Sequence, residues 1–277
     1  MLKKKSLGQN FLHTAHYVRA VADAGEVAAG DTVLEVGPGD GALTSELLAR
    51  GAIVLAIEKD HRLIPLLQEK FKDAIVREQL YLVEGDALEL LPGRLGLRSG
   101  EFKVVANIPY NITGALLRAL LSGDTQPNVL VFLIQKEVAQ RVVAKSSSSK
   151  ARPQESILSL SVKAYGTPTY VKTVPRGAFN PPPNVDSAIL RVANISRKNF
   201  SSTQHEQQFF NLIKAGFAQK RKLLRRNIER VLGAETLALL HKASIAETAR
   251  AENVPLEKWL TLAEQKQTQP DSPSISN

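Results

Sequence analysis

The 277-residue chain contains no cysteine, which excludes disulfide bonds and thiolate metal sites. Its five histidines show no H-E-x-x-H or comparable spacing, so we expect no bound metal. No apolar run approaches the roughly 18 residues that a membrane span requires. The lysines at positions 3–5 resemble the start of a signal peptide, but polar residues interrupt the segment that follows. We therefore expect a cytoplasmic protein without a membrane partner.

Acidic residues are also scarce, because 27 of them face 36 lysines and arginines, for a net charge of +9. Such an excess favours a polyanionic partner, nucleic acid before a membrane surface. A merely basic soluble protein is the alternative unless the cations cluster. One cluster contains six cations and a single acid, Glu229; the cations are Lys220, Arg221, Lys222, Arg225, Arg226 and Arg230. The sequence therefore predicts that Lys220, Arg221, Lys222, Arg225 and Arg226 bind RNA phosphates rather than form a solvated face.

Residues 32–41 (TVLEVGPGDG) combine a short apolar run with glycines at three alternate positions, and leucines at helical spacing follow. This pattern predicts a strand, a glycine loop and a helix, the opening of a nucleotide-binding α/β fold. The spacing Gly37-x-Gly39-x-Gly41 is not the G-x-G-x-x-G of a pyrophosphate loop, and Glu35 would repel a phosphate. We therefore favour a ligand that has an adenosine and no phosphate, such as S-adenosylmethionine.

Further apolar runs alternate with helical patterns and predict strands at residues 53–57, 80–83, 102–106 and 129–134. Such runs are typical of a parallel sheet that is covered on both faces. Ligands bind outside the carboxyl ends of these strands. Glu58 is placed there to accept hydrogen bonds from ribose hydroxyls, and Asp86 to accept one from an adenine amino group. A solvated cap is the alternative for a single acid, but acids on successive strands favour a site.

After two further strands, at 170–174 and 187–192, apolar residues occur at helical spacing only. We expect a catalytic S-adenosylmethionine-binding domain over residues 1–195, a helical RNA-binding domain over 196–266, and a disordered tail over 267–277. The serine-rich residues 146–149 predict a surface loop.

Asn107-Ile108-Pro109-Tyr110, at the end of a predicted strand, resembles the signature of methyltransferases that act on exocyclic amino groups. Together with residues 8–12 (GQNFL), 37–39 (GPG) and 179–187 (FNPPPNVDS), it makes residues 3–265 similar to the ribosomal RNA adenine dimethyltransferases. Residues 217–224 (FAQKRKLL) favour the small-subunit, kasugamycin-sensitivity branch. The macrolide-resistance branch, which methylates large-subunit RNA, is the alternative, and Ile108 leans toward it. A non-catalytic RNA- or DNA-binding protein on the same fold is a second alternative.

The resemblance implies a Rossmann-like class I methyltransferase domain followed by a small all-helical domain. It implies methyl transfer from S-adenosylmethionine, with S-adenosylhomocysteine as the by-product, to two adjacent adenosines near the 3′ end of small-subunit RNA. The product would be dimethyladenosine, and we expect the protein to be a monomer. The expected substrate is RNA within a pre-assembled small subunit, and naked RNA is the alternative. The expected cofactor-binding residues are Gln9, Asn10, Leu12, Gly37, Gly39, Glu58, Asp86, Ala87 and Asn107.

Four residues are expected to act on the target base. The Asn107 side-chain oxygen and the Pro109 carbonyl can each accept one N–H of the amine, which aims its lone pair at the methyl group. Tyr110 and, by resemblance, Phe179 would stack on a base that is flipped out or unpaired. Core packing is the alternative for Phe179.

Overall fold

The computed structural model describes residues 10–144 and 154–267. Several sequence expectations lie outside these ranges: the lysines at 3–5, Gln9, the serine-rich residues 146–149, and the tail after residue 267. Residue 267 itself is the last residue of the final helix.

Strands and helices alternate along the first two thirds of the chain. The strands are β1 (Phe11–Leu12), β2 (Thr32–Val36), β3 (Ile53–Glu58), β4 (Leu80–Glu84), β5 (Phe102–Asn107), β6 (Val129–Gln135), β7 (Thr167–Val174), β8 (Phe179–Asn180) and β9 (Ser187–Ala193). The helices are α1 (Ala15–Ala24), α2 (Ala42–Ala49), α3 (Ile64–Lys70), α4 (Lys72–Val76), α5 (Thr113–Ser122), α6 (Lys136–Val142), α7 (Ile157–Tyr165), α8 (Thr203–Gly216), α9 (Leu224–Leu232), α10 (Thr236–Lys242) and α11 (Leu256–Gln267).

Seven strands form one sheet in the order β4-β3-β2-β5-β6-β9-β7. The first five are parallel, and β9 and β7 run antiparallel to their neighbours. Val54, Val104 and Val131 are fully buried at the centres of their strands. The apolar runs in the sequence arise from this burial, because helices cover both faces of a parallel sheet. The predicted α/β fold class is confirmed.

The strand order creates a crevice beside β2. From β2 the chain builds outward through β3 and β4, and it then returns to place β5 on the other side of β2. The loops after β2 and β5 therefore leave the sheet in opposite directions, which is where ligands bind in such folds. The glycine loop follows β2, and Asn107 ends β5.

A two-stranded antiparallel ladder joins the start of the described chain to a distant segment. Phe11 pairs with Asn180, and Leu12 with Phe179. The backbone N–H of His13 donates to the carbonyl of Ala178 at 3.1 Å. The sequence pattern of these two segments did not predict this ladder.

The chain divides into two compact units, residues 1–140 with 165–196 and residues 141–164 with 197–277. The second unit is helical, and its core includes the fully buried Trp259 and Phe209. Residues 141–164 group with the helices, and two hydrogen bonds link them: the Glu155 N–H donates to the Glu252 carbonyl at 3.2 Å, and Asn199 donates to the Ala164 carbonyl at 2.8 Å. The first unit is therefore discontinuous, which a single boundary near residue 195 does not describe.

Candidate active site

The carboxyl ends of the parallel strands border a cavity of about 240 Å³ in the first unit. Residues from five separate stretches of sequence meet there, as the strand-end argument requires. Ten of the residues predicted from the sequence line the cavity: Asn10, Leu12, Gly37, Gly39, Glu58, Asp86, Ala87, Asn107, Pro109 and Tyr110.

The glycine loop packs so tightly against residues 10–12 that Gly39 has no room for a side chain. A Cβ on Gly39 would lie 2.7 Å from the Phe11 ring, and its φ of +62° is in the left-handed region that favours glycine. The Gly39 N–H donates to Glu58 Oε2 at 3.2 Å, and the Asp60 N–H donates to Oε1 at 2.8 Å. Burial raises the pKa of Glu58, and these two donors oppose the rise. Glu58 thus fixes the loop while its carboxylate faces the cavity.

Asp86 forms an ion pair that the sequence analysis missed. Lys59 Nζ lies 2.6 Å from Asp86 Oδ2, and the Leu88 N–H donates to Oδ1 at 2.9 Å. The hydrogen bond from Lys59 lowers the pKa of Asp86, so this carboxyl is ionised at neutral pH. Each carboxylate oxygen can accept two hydrogen bonds, so acceptor capacity for an adenine amino group remains. The one signal in the sequence for this ion pair was that Lys59 directly follows Glu58 and so also lies at a strand end.

Glu35 lines the cavity floor and is 1% exposed. Thr44 donates its hydroxyl to Glu35 Oε2 at 2.7 Å. Burial raises the pKa of Glu35 to about 8, against the hydrogen bond from Thr44, and the charges of Glu58 and Asp40 raise it further. Glu35 is therefore protonated at neutral pH. The expectation that Glu35 would repel a phosphate does not hold at neutral pH, because the protonated carboxyl carries no charge.

Glu35→Gln is expected to change how stability depends on pH. Between pH 4.5 and about 8, native Glu35 keeps a proton that the unfolded chain has lost. Raising the pH through this window therefore destabilises the wild type by up to about 1.4 kcal/mol per pH unit, and the effect levels off above it. Because glutamine does not titrate, the variant should gain stability relative to wild type as pH rises.

Thermal unfolding of both proteins from pH 5 to pH 9 measures this difference. Glu84→Gln, at an exposed carboxyl outside the cavity, is the matched control and should follow the wild type. A melting-temperature difference between Glu35→Gln and wild type that is constant over this pH range would contradict the assignment of a raised pKa.

Asn107 and Pro109 supply two acceptors on the same loop. Asn107 Nδ2 donates to the carbonyl of Asn10 at 3.1 Å, which orients the amide and leaves Oδ1 to accept from a ligand. The Pro109 carbonyl accepts the Ile112 N–H at 3.3 Å, and its second lone pair stays available. The arrangement can therefore receive two N–H donors.

Tyr110 lines the cavity, and Phe179 does not. The hydroxyl of Tyr110 is hydrogen-bonded to Ser187 Oγ at 2.6 Å, which fixes the ring. Burial raises the pKa of Tyr110, and the bond to Ser187 opposes the rise. Phe179 is 3% exposed and packs in the core of the first unit, where the alternative interpretation placed it. Base stacking by Phe179 would require its side chain to leave this core, and that role stays a prediction.

The five predicted RNA-binding cations belong to the helical unit. Lys220, Arg221 and Lys222 lie in the turn between α8 and α9, and Arg225 and Arg226 lie in the first turn of α9. In the part of the chain that the structure describes, no acid pairs with any of them. Cations at a helix N-terminus oppose the helix dipole. Helix stability therefore does not explain their position there, and phosphate binding by these cations stays a prediction.

The charge of the cavity selects for a cationic ligand. Besides the protonated Glu35, three acidic side chains line it, namely Asp40, Glu58 and Asp86, and Lys59 is the one cation among the described lining residues. A phosphate would be repelled there, whereas a sulfonium and an amino group would be stabilised. Within residues 10–144 and 154–267, no group of three or more metal-binding side chains could hold a metal ion. Over the same residues, none of the helices has the length and apolar character needed to cross a membrane.

A glycine loop after the first parallel strand and an Asn-x-Pro-Tyr loop after the fourth, on this strand order, define a Rossmann-like class I methyltransferase. The ribosomal RNA adenine dimethylase family matches residues 1–268, and the chain belongs to this family. The resemblance stated from the sequence is confirmed.

Individual relatives agree with this assignment. The ribosomal RNA small subunit methyltransferase A of Dehalococcoides mccartyi is 39% identical over 262 residues, which cover 94% of this chain and 87% of that protein. Among solved structures, a dimethyladenosine transferase from Plasmodium falciparum has a TM-score of 0.76 at 26% identity and covers 93% of this chain and 97% of its own. The 23S rRNA methyltransferase ErmE has a TM-score of 0.71, also at 26% identity, over 94% of this chain and 100% of its own.

Proposed function

We propose that this protein transfers methyl groups from S-adenosylmethionine to the exocyclic amino groups of two adjacent adenosines near the 3′ end of small-subunit ribosomal RNA. The observation that carries the proposal is that Asn107 and Pro109 line the same cavity as Glu58 and Asp86. The name of the relative at 39% identity supports small-subunit RNA over the large-subunit alternative. The likeness to ErmE, at 26% identity, supports the shared fold.

The residues of the cavity fit S-adenosylmethionine by charge and by hydrogen-bonding capacity. Glu58 would accept from the ribose hydroxyls and Asp86 from the adenine amino group, and Asn10, Leu12 and Gly37 would enclose the methionine part. The cofactor supplies a methyl group that its sulfonium already activates. The protein therefore needs to position the target amine more than to ionise it.

Positioning of the amine falls to three residues. The adenine nitrogen is a poor nucleophile because its lone pair is delocalised into the ring. Asn107 Oδ1 and the Pro109 carbonyl would each accept one N–H and draw the nitrogen toward tetrahedral geometry. Tyr110, whose ring is held by Ser187, would stack on the flipped base.

Asp86→Ala is expected to weaken cofactor binding by about 1.5–3 kcal/mol, because it removes a hydrogen-bonded anion. Isothermal calorimetry measures the change. Glu84→Ala is the matched control, since this exposed acid ends β4 outside the cavity. Glu58→Ala should cost as much, but it also releases the Gly39 N–H, so Asp86 gives the cleaner measurement. Equal affinities for Asp86→Ala and wild type would remove Asp86 from the site.

The function is tested by the product. Purified protein with S-adenosylmethionine is given small-subunit hairpin RNA, small-subunit particles and large-subunit RNA, and modified nucleosides are identified by mass spectrometry. We expect dimethyladenosine in small-subunit RNA. After two transfers no N–H remains, so both acceptors lose their partner at about 1–3 kcal/mol each, and the product should leave readily. Methylation of large-subunit RNA alone would favour the macrolide-resistance type, and cofactor binding without transfer would favour a non-catalytic binder.

We also propose the form of the substrate, the oligomeric state of the protein and the compartment in which it acts. The substrate is RNA within a pre-assembled small subunit rather than naked RNA, the protein acts as a monomer, and it works in the cytoplasm. Comparing rates on hairpin RNA and on particles measures the first of these points directly.

A further inference from the structure

A second cleft, of about 460 Å³, lies in the first unit and contains none of the residues assigned above. It is formed by the end of β6, the start of α6 and the segment 176–186. Polar and charged side chains dominate its lining, chiefly Gln135, Lys136, Gln140, Arg176, Asn184 and Asp186. Its size is in the range of sites that bind small ligands.

Backbone pairing places this cleft next to the candidate active site. Leu133 of β6 pairs with Asn107 of β5, so Gln135 lies two residues farther along the same edge. The spacing between neighbouring strands and the rise of two residues then separate the Cα atoms of Asn107 and Gln135 by roughly 8 Å. Gln135 also pairs with Ser187 of β9, and Ser187 holds the hydroxyl of Tyr110 at 2.6 Å. One serine therefore stands between the base-stacking tyrosine and the cleft.

The cleft is held in shape by Asp186. The Asp186 carbonyl accepts the Lys136 N–H at 3.0 Å, and its Oδ1 accepts the Arg176 N–H at 3.1 Å. The first bond joins the start of α6 to the segment 176–186, and the second joins the two ends of that segment. The site therefore requires little ordering before a ligand binds, which lowers the free-energy cost of binding.

The lining offers three kinds of contact. The amides of Gln135, Gln140 and Asn184 each provide donors and an acceptor, which suits the edge of a base. Lys136 and Arg176 can contact a phosphate. Val185 is 46% exposed and offers an apolar surface to a ring. Glu137 and Asp186 balance the two cations, so the cleft carries no net charge and should orient a ligand rather than attract RNA over distance.

We propose that this cleft binds the nucleotide that neighbours the target adenosine in the RNA chain, and that it reads the edge of that base. The inference rests on the proposed function, since it assumes that an RNA base occupies the cavity beside Tyr110. The flat face of the base would contact Val185, its polar edge would contact the amides, and its phosphate would contact Lys136 or Arg176. Positioning the neighbour would in turn place the target amine against Asn107 and Pro109.

The experiment is a double-mutant cycle in which one change is made in the protein and the other in the RNA. The protein variant is Gln140→Ala with Asn184→Ala, at two exposed side chains whose loss should not affect folding. The RNA variants are hairpins in which the nucleotide on the 5′ or the 3′ side of the target is abasic. We expect the protein variant alone, or the abasic nucleotide alone, to lower kcat/KM on the order of 10-fold. On the side of the target where the cleft binds the neighbouring base, combining both changes should lower kcat/KM little further.

The matched control is Gln68→Ala with Asn128→Ala, two exposed amides of the same unit outside the cleft, which should behave as wild type on all hairpins. Cofactor affinity and the salt dependence of RNA binding should be unchanged in the Gln140/Asn184 variant. Losses that simply multiply for both neighbours would overturn the inference. So would a loss confined to subunit particles, because it would indicate a protein contact. Failure of the proposed function would instead appear as no methyl transfer by the wild type to the intact hairpin or to small-subunit particles; if only particles are methylated, the same RNA changes are made in particles.

Discussion

Replacing Asn107 by alanine is expected to lower turnover by about 10²–10³-fold, because a positioned polar group that acts on the reacting atoms is lost. The RNA affinity should change by no more than a few-fold, since the five cations assigned to phosphate binding belong to the helical unit. The Asn107 amide is oriented by its bond to the Asn10 carbonyl, so its oxygen is a fixed acceptor rather than a mobile one. Alanine removes both the acceptor and the orienting donor.

Single-turnover methyl transfer, RNA binding and cofactor binding are measured separately. Asn107→Asp separates the two functions of the amide, because aspartate keeps an acceptor and cannot donate to the Asn10 carbonyl. We expect it to be less active than wild type and more active than Asn107→Ala. Asn128→Ala, an exposed asparagine outside the cavity, is the control. Equal losses in turnover and RNA affinity would make Asn107 a docking residue.

The second large effect is electrostatic. Changing all five cations of the cluster to glutamine should reduce the salt dependence of RNA binding as well as its strength; the residues are Lys220, Arg221, Lys222, Arg225 and Arg226. Each lost phosphate contact removes about 0.7–0.9 from the slope of log K against log salt concentration, so five lost contacts make it shallower by up to about 3.5–4.5. At low salt the affinity should fall by about 10²-fold or more.

RNA binding at several salt concentrations from about 50 to 200 mM covers the useful range. A smaller variant, Arg225→Gln with Arg226→Gln, has a charge-matched control in Lys72→Gln with Arg77→Gln, at two exposed residues of the first unit. The control should leave the slope near that of wild type. A slope that the five-residue variant does not alter would indicate a solvated face, with the phosphate contacts elsewhere.

Most of the sheet could be predicted because burial on both faces of a parallel strand requires an apolar run, and such a run is visible in the sequence. The cavity followed because the carboxyl ends of parallel strands share one edge, which brings Glu58, Asp86 and Asn107 together. None of this required knowledge of side-chain packing. The glycine loop could also be predicted, because its sharp turn depends on the glycines themselves and not on distant partners.

Features that depend on distant partners could not be predicted. The strands β1 and β8 have two residues each, which is too short for any periodicity, and their pairing depends on a register between remote segments. Lys59 has the pattern of a surface lysine until Asp86, 27 residues later, is placed beside it. Phe179, to which the resemblance assigns base stacking, pairs with Leu12 in this ladder and packs in the core, and neither contact is visible in its local sequence.

The bond between Asn107 and Asn10 links the wall of the cavity to the group that would hold the target amine. Residues 10–12 line the cavity, and the Asn10 carbonyl accepts the hydrogen bond from the Asn107 amide. The segment that borders the cofactor therefore also decides which way the amide oxygen points. A change that displaces residue 10 should for this reason lower both cofactor affinity and turnover, although residue 10 lies 97 positions from Asn107 in the sequence.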